Sequence, residues 1–110
     1  MAFHIKKNLN NMKVSEFQKL MKDLYFHQDT KRGIEKTFIW LVEEIGELAN
    51  TLKKGSELDS KQISEEMADI IAWMCSLANL LELDLEKALF DKYPNKCIKC
   101  NSNPCCCSEL

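Results

Sequence analysis

Trp40-Leu41-Val42-Glu43-Glu44-Ile45-Gly46-Glu47-Leu48-Ala49-Asn50 and Glu65-Glu66-Met67-Ala68-Asp69-Ile70-Ile71-Ala72-Trp73 are the two stretches on which the fold turns. The first lies in a run from Ile34 to about Lys54, and steps of about 100° per residue collect its apolar side chains on one arc. Ile34, Phe38, Leu41, Val42, Ile45, Leu48, Ala49 and Leu52 make up that arc. The second lies in a run from about Lys61 to Leu81, where Ile63, Met67, Ile70, Ile71, Met74, Leu77, Ala78 and Leu81 repeat the layout. Both patterns predict amphipathic helices, joined by a short linker and therefore antiparallel, with the two arcs filling one shared core. Gly55 stands where a glycine ends a helix, and Asp59 or Ser60 stands where a side chain caps the next.

Outward from this pair the signals stay helical. Ser15 and Gln18 have the spacing of a capping box. Phe17, Leu20, Met21, Leu24 and Tyr25 then recur with helical period, so a first helix is expected over about 15–27. Gln28 to Gly33 reads as a polar, solvated connector, and residues 1–13 as a polar lead-in. Asp84 caps a fourth helix over about 85–92, which Pro94 ends. No alternating run supports a strand, and 3 Gly and 2 Pro in 110 residues are few for a protein built from hairpins. The expected fold is all-α: a bundle of about four helices with a long antiparallel central pair, completed by dimerisation. Residues 1–93 form the domain and 94–110 a Cys-rich tail.

Composition narrows the function classes. With 15 Lys+Arg against 17 Asp+Glu, the formal charge of -2 gives no basic field for a nucleic-acid polymer. No apolar run approaches the roughly 20 residues that span a bilayer. The stretch from Met1 to Asn11 has no apolar core of a secretory signal, so a reducing cytoplasm is the expected compartment.

The central helices also carry the chemistry. Glu44 and Glu47 border the first arc with Trp40 between them in angle; Glu66 and Asp69 border the second with Trp73 between them, while Glu43 and Glu65 point outward. Carboxylates at i, i+3 are neighbours and repel, and no Lys or Arg stands inside either motif. A solvated acidic face would account for one such pair. Two matched pairs on adjacent helices equally suit a hard cation with oxygen ligands, Mg²⁺ or Mn²⁺. A ferritin-like di-iron site needs Glu-x-x-His on two helices, and neither His4 nor His27 meets that spacing. Mg²⁺ and Mn²⁺ commonly hold phosphates in proteins, and the chain has no P-loop.

Glu43-Glu44-Ile45-Gly46-Glu47-Leu48 followed by Glu66-Met67-Ala68-Asp69 resembles the Glu-Glu-x-x-Glu … Glu-x-x-Asp signature of MazG-type nucleotide pyrophosphohydrolases, a likeness that covers about residues 14–93. The resemblance implies an all-α homodimer or homotetramer that releases a nucleoside monophosphate and pyrophosphate from a (deoxy)nucleoside triphosphate. It carries the metal ligands onto Glu44, Glu47, Glu66 and Asp69, and matches Glu43 to the motif's first glutamate. Glu47 or Glu43 would take the proton of the attacking water. Lys92 matches a lysine of the family; Asn95 follows it, but Lys96 stands where relatives often have arginine. Trp40 and Trp73 are candidates to stack on the base or simply to fill the core, and Asp29 and Arg32 to reach substrate or remain solvated. The alternative is a noncatalytic helical module that binds nucleotide or metal.

Five of the 6 cysteines lie in the tail: Cys97, Cys100, Cys105, Cys106 and Cys107. Cys-x-x-Cys followed by Cys-x-Cys offers four thiolates, Cys97, Cys100, Cys105 and Cys107, enough for one tetrahedral structural zinc. Cys106 is a spare able to replace either neighbour; the other reading is a free, partly oxidised tail. Cys75 is expected to be a small packing residue.

Overall fold

The computed structural model describes residues 11–108. Most of the expected lead-in, 1–10, and the last two residues of the tail lie outside that range. Four α-helices follow one another: α1 Val14–Arg32, α2 Ile34–Leu52, α3 Ser60–Leu80 and α4 Leu85–Lys92, with a 3₁₀ turn at Gly55–Glu57. The chain is all-α, as its periodicity implies. Asp59 caps α3 by accepting from the N–H groups of Lys61 and Gln62, and Asp84 caps α4 by accepting from that of Lys87. Among the described residues no helix is long and apolar enough to cross a membrane.

The first helix departs from expectation at both ends. Its N-cap is Lys13, whose backbone N–H donates to Glu16 Oε1 at 2.8 Å. Ser15 therefore lies inside the helix, where its N–H donates to Glu86 Oε1 at 3.0 Å. Gln18 bridges to Asn79, Leu83 and Leu85, so the expected Ser15–Gln18 capping box does not form. At the other end, the supposed connector is helix as far as Arg32. Polar composition does not stop a helix. Gly33 does, with φ 89° and ψ 167°, a backbone region open essentially to glycine alone. This one residue separates α1 from α2.

Helix α3 is central. Thr51 meets Glu66 while Trp40 meets Trp73, so α2 runs antiparallel along the N-terminal part of α3. Gln18 meets Asn79 while Arg32 meets Trp73, so α1 lies antiparallel along its C-terminal part. The chain from α1 through Gly33 to α2 thus follows α3 as one broken partner. Against α1, helix α3 presents small and polar residues: Cys75, Ser76 and Asn79 are buried there. Burial pushes the Cys75 thiol up, in keeping with a packing role.

The apolar arcs do not meet as expected. Leu41 and Ala78 are buried, yet Phe38, Val42, Ile45 and Leu52 on α2 and Met67, Ile71 and Met74 on α3 are exposed. Among the described residues the buried hydrophobic side chains are Met21, Leu41, Cys75 and Ala78. Because α1 covers a different side of α3, the stripe that two helices were expected to hide remains open.

Gly33 and Gly46 give opposite predictions. A Cβ on either meets nothing within 4 Å, so backbone conformation alone decides. Gly33→Ala should destabilise the fold by about 1–3 kcal/mol. Gly46→Ala, inside α2, should stabilise it by up to about 1 kcal/mol. Urea denaturation followed by circular dichroism reads both.

Candidate metal centre and adjoining pocket

The seam between α2 and α3 gathers the acidic residues singled out in the sequence. Glu44 and Glu66 are half-buried, whereas Glu43, Glu47 and Asp69 are exposed. Glu66 Oε2 accepts from Thr51 Oγ1 at 3.0 Å and from Gln62 Nε2 at 3.3 Å. Its other oxygen, Oε1, is buried with no hydrogen-bond partner. An orphaned carboxylate oxygen is costly, and it points to a missing electropositive neighbour. Burial, then the charges of Glu47, Asp69, Glu66 and Glu43, push the Glu44 carboxyl above the ordinary glutamate range. The carboxylates of both helices thus stand within electrostatic reach of Glu44. The ion pairs among the described residues are Lys19–Asp23, Arg32–Asp29 and Lys87–Asp91, none of which involves these groups. The donor set is all oxygen, which suits a hard divalent cation. The carboxylates do not close into a group with all ligand atoms within 4.8 Å of one another; among the described residues the cysteine set does.

Beside Asp69 opens a pocket of about 300 Å³, lined by Tyr25, Gln28, Asp29 and Arg32 of α1 and by Asp69, Ala72, Trp73 and Ser76 of α3. Arg32 is its structural pivot. The guanidinium carbon lies 4.8 Å from the ring centroids of both Trp40 and Trp73, and the two indoles meet edge to face at 5.4 Å. Asp29 Oδ1 accepts from Arg32 Nη1 at 2.8 Å, and the same nitrogen donates to Thr37 Oγ1 at 3.3 Å. Asp29 is 1% exposed, and its Oδ2 is buried without a partner. Far from a solvated connector, Asp29 and Arg32 form a buried pair clamped against two tryptophans. Helical spacing carries them onto the face of Gln18, Met21 and Tyr25, a signal available once the helix is allowed to continue to its glycine.

Lys92 and Asn95 line neither this pocket nor the acidic seam. Lys92 Nζ lies 5.8 Å from the Tyr93 ring centroid. Asn95 has φ 63° and accepts at its backbone and side-chain oxygens from Asn103 Nδ2. In the tail, the backbone N–H groups of Cys106 and Ser102 hold the Cys100 thiol down to about 5, while the thiols of Cys105, Cys100 and Cys97 push Cys107 up to about 11.

With this geometry in place, comparison with family models returns the MazG nucleotide pyrophosphohydrolase domain, matched over residues 32–101. That span is well over half of the chain, and the chain belongs to this family. Comparison with curated proteins returns no match. The matched span contains α2, α3, α4 and the first two tail cysteines; nearly all of α1 precedes it.

The crowding at Glu44 carries a stability prediction. Its folded-state pKa lies above the unfolded one, so the stability it contributes is complete at acid pH and is lost as pH rises through the raised value. Glu44→Gln should therefore raise the Tm of the metal-free protein at pH 7, with the gain vanishing below the ordinary glutamate range. Thermal melts in chelator across pH read the effect.

Proposed function

We propose that this chain hydrolyses nucleoside triphosphates, ribo or deoxyribo, to the monophosphate and pyrophosphate, with Mg²⁺ or Mn²⁺ held by Glu44, Glu47, Glu66 and Asp69. The observation that carries this reading is the set of converging carboxylates that have no ion-pair partner among the described residues, one of them with an orphaned buried oxygen. When bound, the cation supplies charge neutralisation at phosphate oxygens and a more acidic water.

The remaining work falls to side chains. Glu47 or Glu43, exposed at the rim, accepts the proton of the water that attacks the α-phosphorus. Thr51 and Gln62 fix the Glu66 carboxylate through Oε2, which leaves Oε1 as the oxygen that would hold the cation. The pocket beside Asp69 takes the nucleoside, with Trp73 as a stacking surface and Trp40 and Arg32 bracing that indole. Asp29 Oδ2, buried and unpartnered, accepts a hydrogen bond from an N–H or O–H of the nucleoside. Lys92 clamps the departing pyrophosphate and Asn95 contacts base or phosphate, each reaching the site of a neighbouring chain. The open apolar stripe of Phe38, Val42, Ile45, Met67, Ile71 and Met74 packs against another copy, making the working unit a homodimer or homotetramer. Residues 1–93 form the catalytic domain and 94–110 a separate appendage, in a reducing cytoplasm that keeps the tail thiols free to bind metal.

Pyrophosphate release with Mg²⁺, followed through added inorganic pyrophosphatase over all NTPs and dNTPs, tests the reading. Turnover should fall about 100-fold or more in Glu44→Gln and in Asp69→Asn. Nucleotide binding without turnover would favour the noncatalytic module instead. Trp73→Ala should raise KM by roughly ten-fold with a smaller change in kcat, as expected from the ~1–3 kcal/mol of a stacked base.

A further inference from the structure

Beyond α4 the chain runs through residues 94–108 without helix or strand, and none of them is buried. Ile98, the large apolar side chain of the segment, is 50% exposed. Nothing resembling a hydrophobic core holds this stretch together, yet it is closely folded. Cys97 N–H donates to Ser102 O at 2.9 Å and Asn101 N–H to Cys97 O at 2.8 Å, around an Asn101 with φ 61°. This turn and the next bring the Sγ atoms of Cys97, Cys100, Cys105 and Cys107 within 4.8 Å of one another, all four as free cysteines.

The spacing is informative. A tetrahedron of thiolates with Zn–S bonds of about 2.3 Å has S···S edges of about 3.8 Å. Cys97 Sγ and Cys107 Sγ stand 3.8 Å apart. Three of the four sulfurs also accept backbone N–H groups: Lys99 donates to Cys97 Sγ at 3.4 Å, Cys106 to Cys100 Sγ at 3.3 Å and Cys107 to Cys105 Sγ at 3.3 Å. Such donors offset the negative charge of a metal thiolate and orient its sulfurs. The geometry points to a closed tetrathiolate Zn²⁺ site made by Cys97, Cys100, Cys105 and Cys107.

The arrangement settles the part played by Cys106. Its Sγ donates to Ser102 Oγ at 3.5 Å, while its backbone serves Cys100. It is a scaffold residue and an exposed thiol, not a ligand. On loading, the ligand thiols still protonated release their protons to solvent and the four thiolates bind one Zn²⁺, leaving a site of net charge -2 with no open coordination position. The site is structural. Sulfur-only donors reject Mg²⁺ and Mn²⁺, so the chain sorts two kinds of divalent cation between the helical seam and the tail. Asn103 Nδ2 bonds the backbone and side-chain oxygens of Asn95 at 2.9 and 3.2 Å, so the loaded knuckle also fixes the chain just past Lys92.

Metal analysis of the full chain purified without chelator, by inductively coupled plasma mass spectrometry, should find one zinc per chain. Cys100→Ser and Cys105→Ser should lose it, and Cys106→Ser should keep it, with helical circular dichroism unchanged in all three. Cobalt loading should produce the visible bands of a tetrahedral thiolate complex in wild type and Cys106→Ser only. Native thiol titration should find one fast tail thiol in the zinc-loaded chain and five after zinc is stripped. Iron in place of zinc, equal zinc in Cys105→Ser and wild type, or loss of zinc in Cys106→Ser would overturn the assignment.

Discussion

Like charge held at close range is the constraint around which this molecule is arranged. Two helices each bring a carboxylate pair to a common seam, where the burial that shapes the fold also raises the energy of ionising Glu44. Among the described residues no lysine or arginine forms an ion pair with these groups. Their surroundings steady one oxygen of Glu66 with Thr51 and Gln62 and leave the other without a partner. Stability has been surrendered locally at a place that chemistry can use, a pattern familiar from binding sites prepared for a cation.

Helix α3 makes this possible because its sides do different jobs. One side carries Glu66 and Asp69 toward α2. A second, built of Cys75, Ser76 and Asn79, is small enough for α1 to lie close and polar enough to bond Gln18. The third side is apolar and open, which is why the four helices of the described residues enclose so few side chains. Arg32 ties the first two sides together: its guanidinium rests on an indole from α2 and another from α3, and its counterion comes from α1.

Much of this was legible in the residues. The α2 and α3 periodicity, the caps at Asp59 and Asp84 and the four-carboxylate pattern all follow from spacing, because each rests on contacts within one helix or between adjacent ones. The end of α1 was harder to see. Polarity at Gln28 to Arg32 suggested solvent, whereas the decisive fact, that α3 offers a polar face to receive Asp29 and Arg32, belongs to tertiary packing. Ser15 and Gln18 misled for a related reason: Gln18 gains more from joining α1 to the α3–α4 turn than from closing its own helix end. Periodicity places the apolar residues of α2 and α3 on one arc each, but it does not say that the arcs meet, and of the two arcs Leu41 and Ala78 alone are buried. In the tail, spacing nominates Cys97, Cys100, Cys105 and Cys107 with Cys106 as a spare, and the same four bring their Sγ atoms within 4.8 Å of one another.

The break at Gly33 has a consequence for how the protein can diversify. The family match begins at Arg32, so Tyr25, Gln28 and Asp29, three of the eight residues that line the pocket, come from the part of α1 upstream of the shared region. The carboxylates stand downstream of the break. Under the proposed function, the helix that feels the nucleoside and the helices that handle its phosphates are joined through one glycine and one arginine. Selection can then rewrite ligand preference on α1 while the acidic cradle is inherited intact.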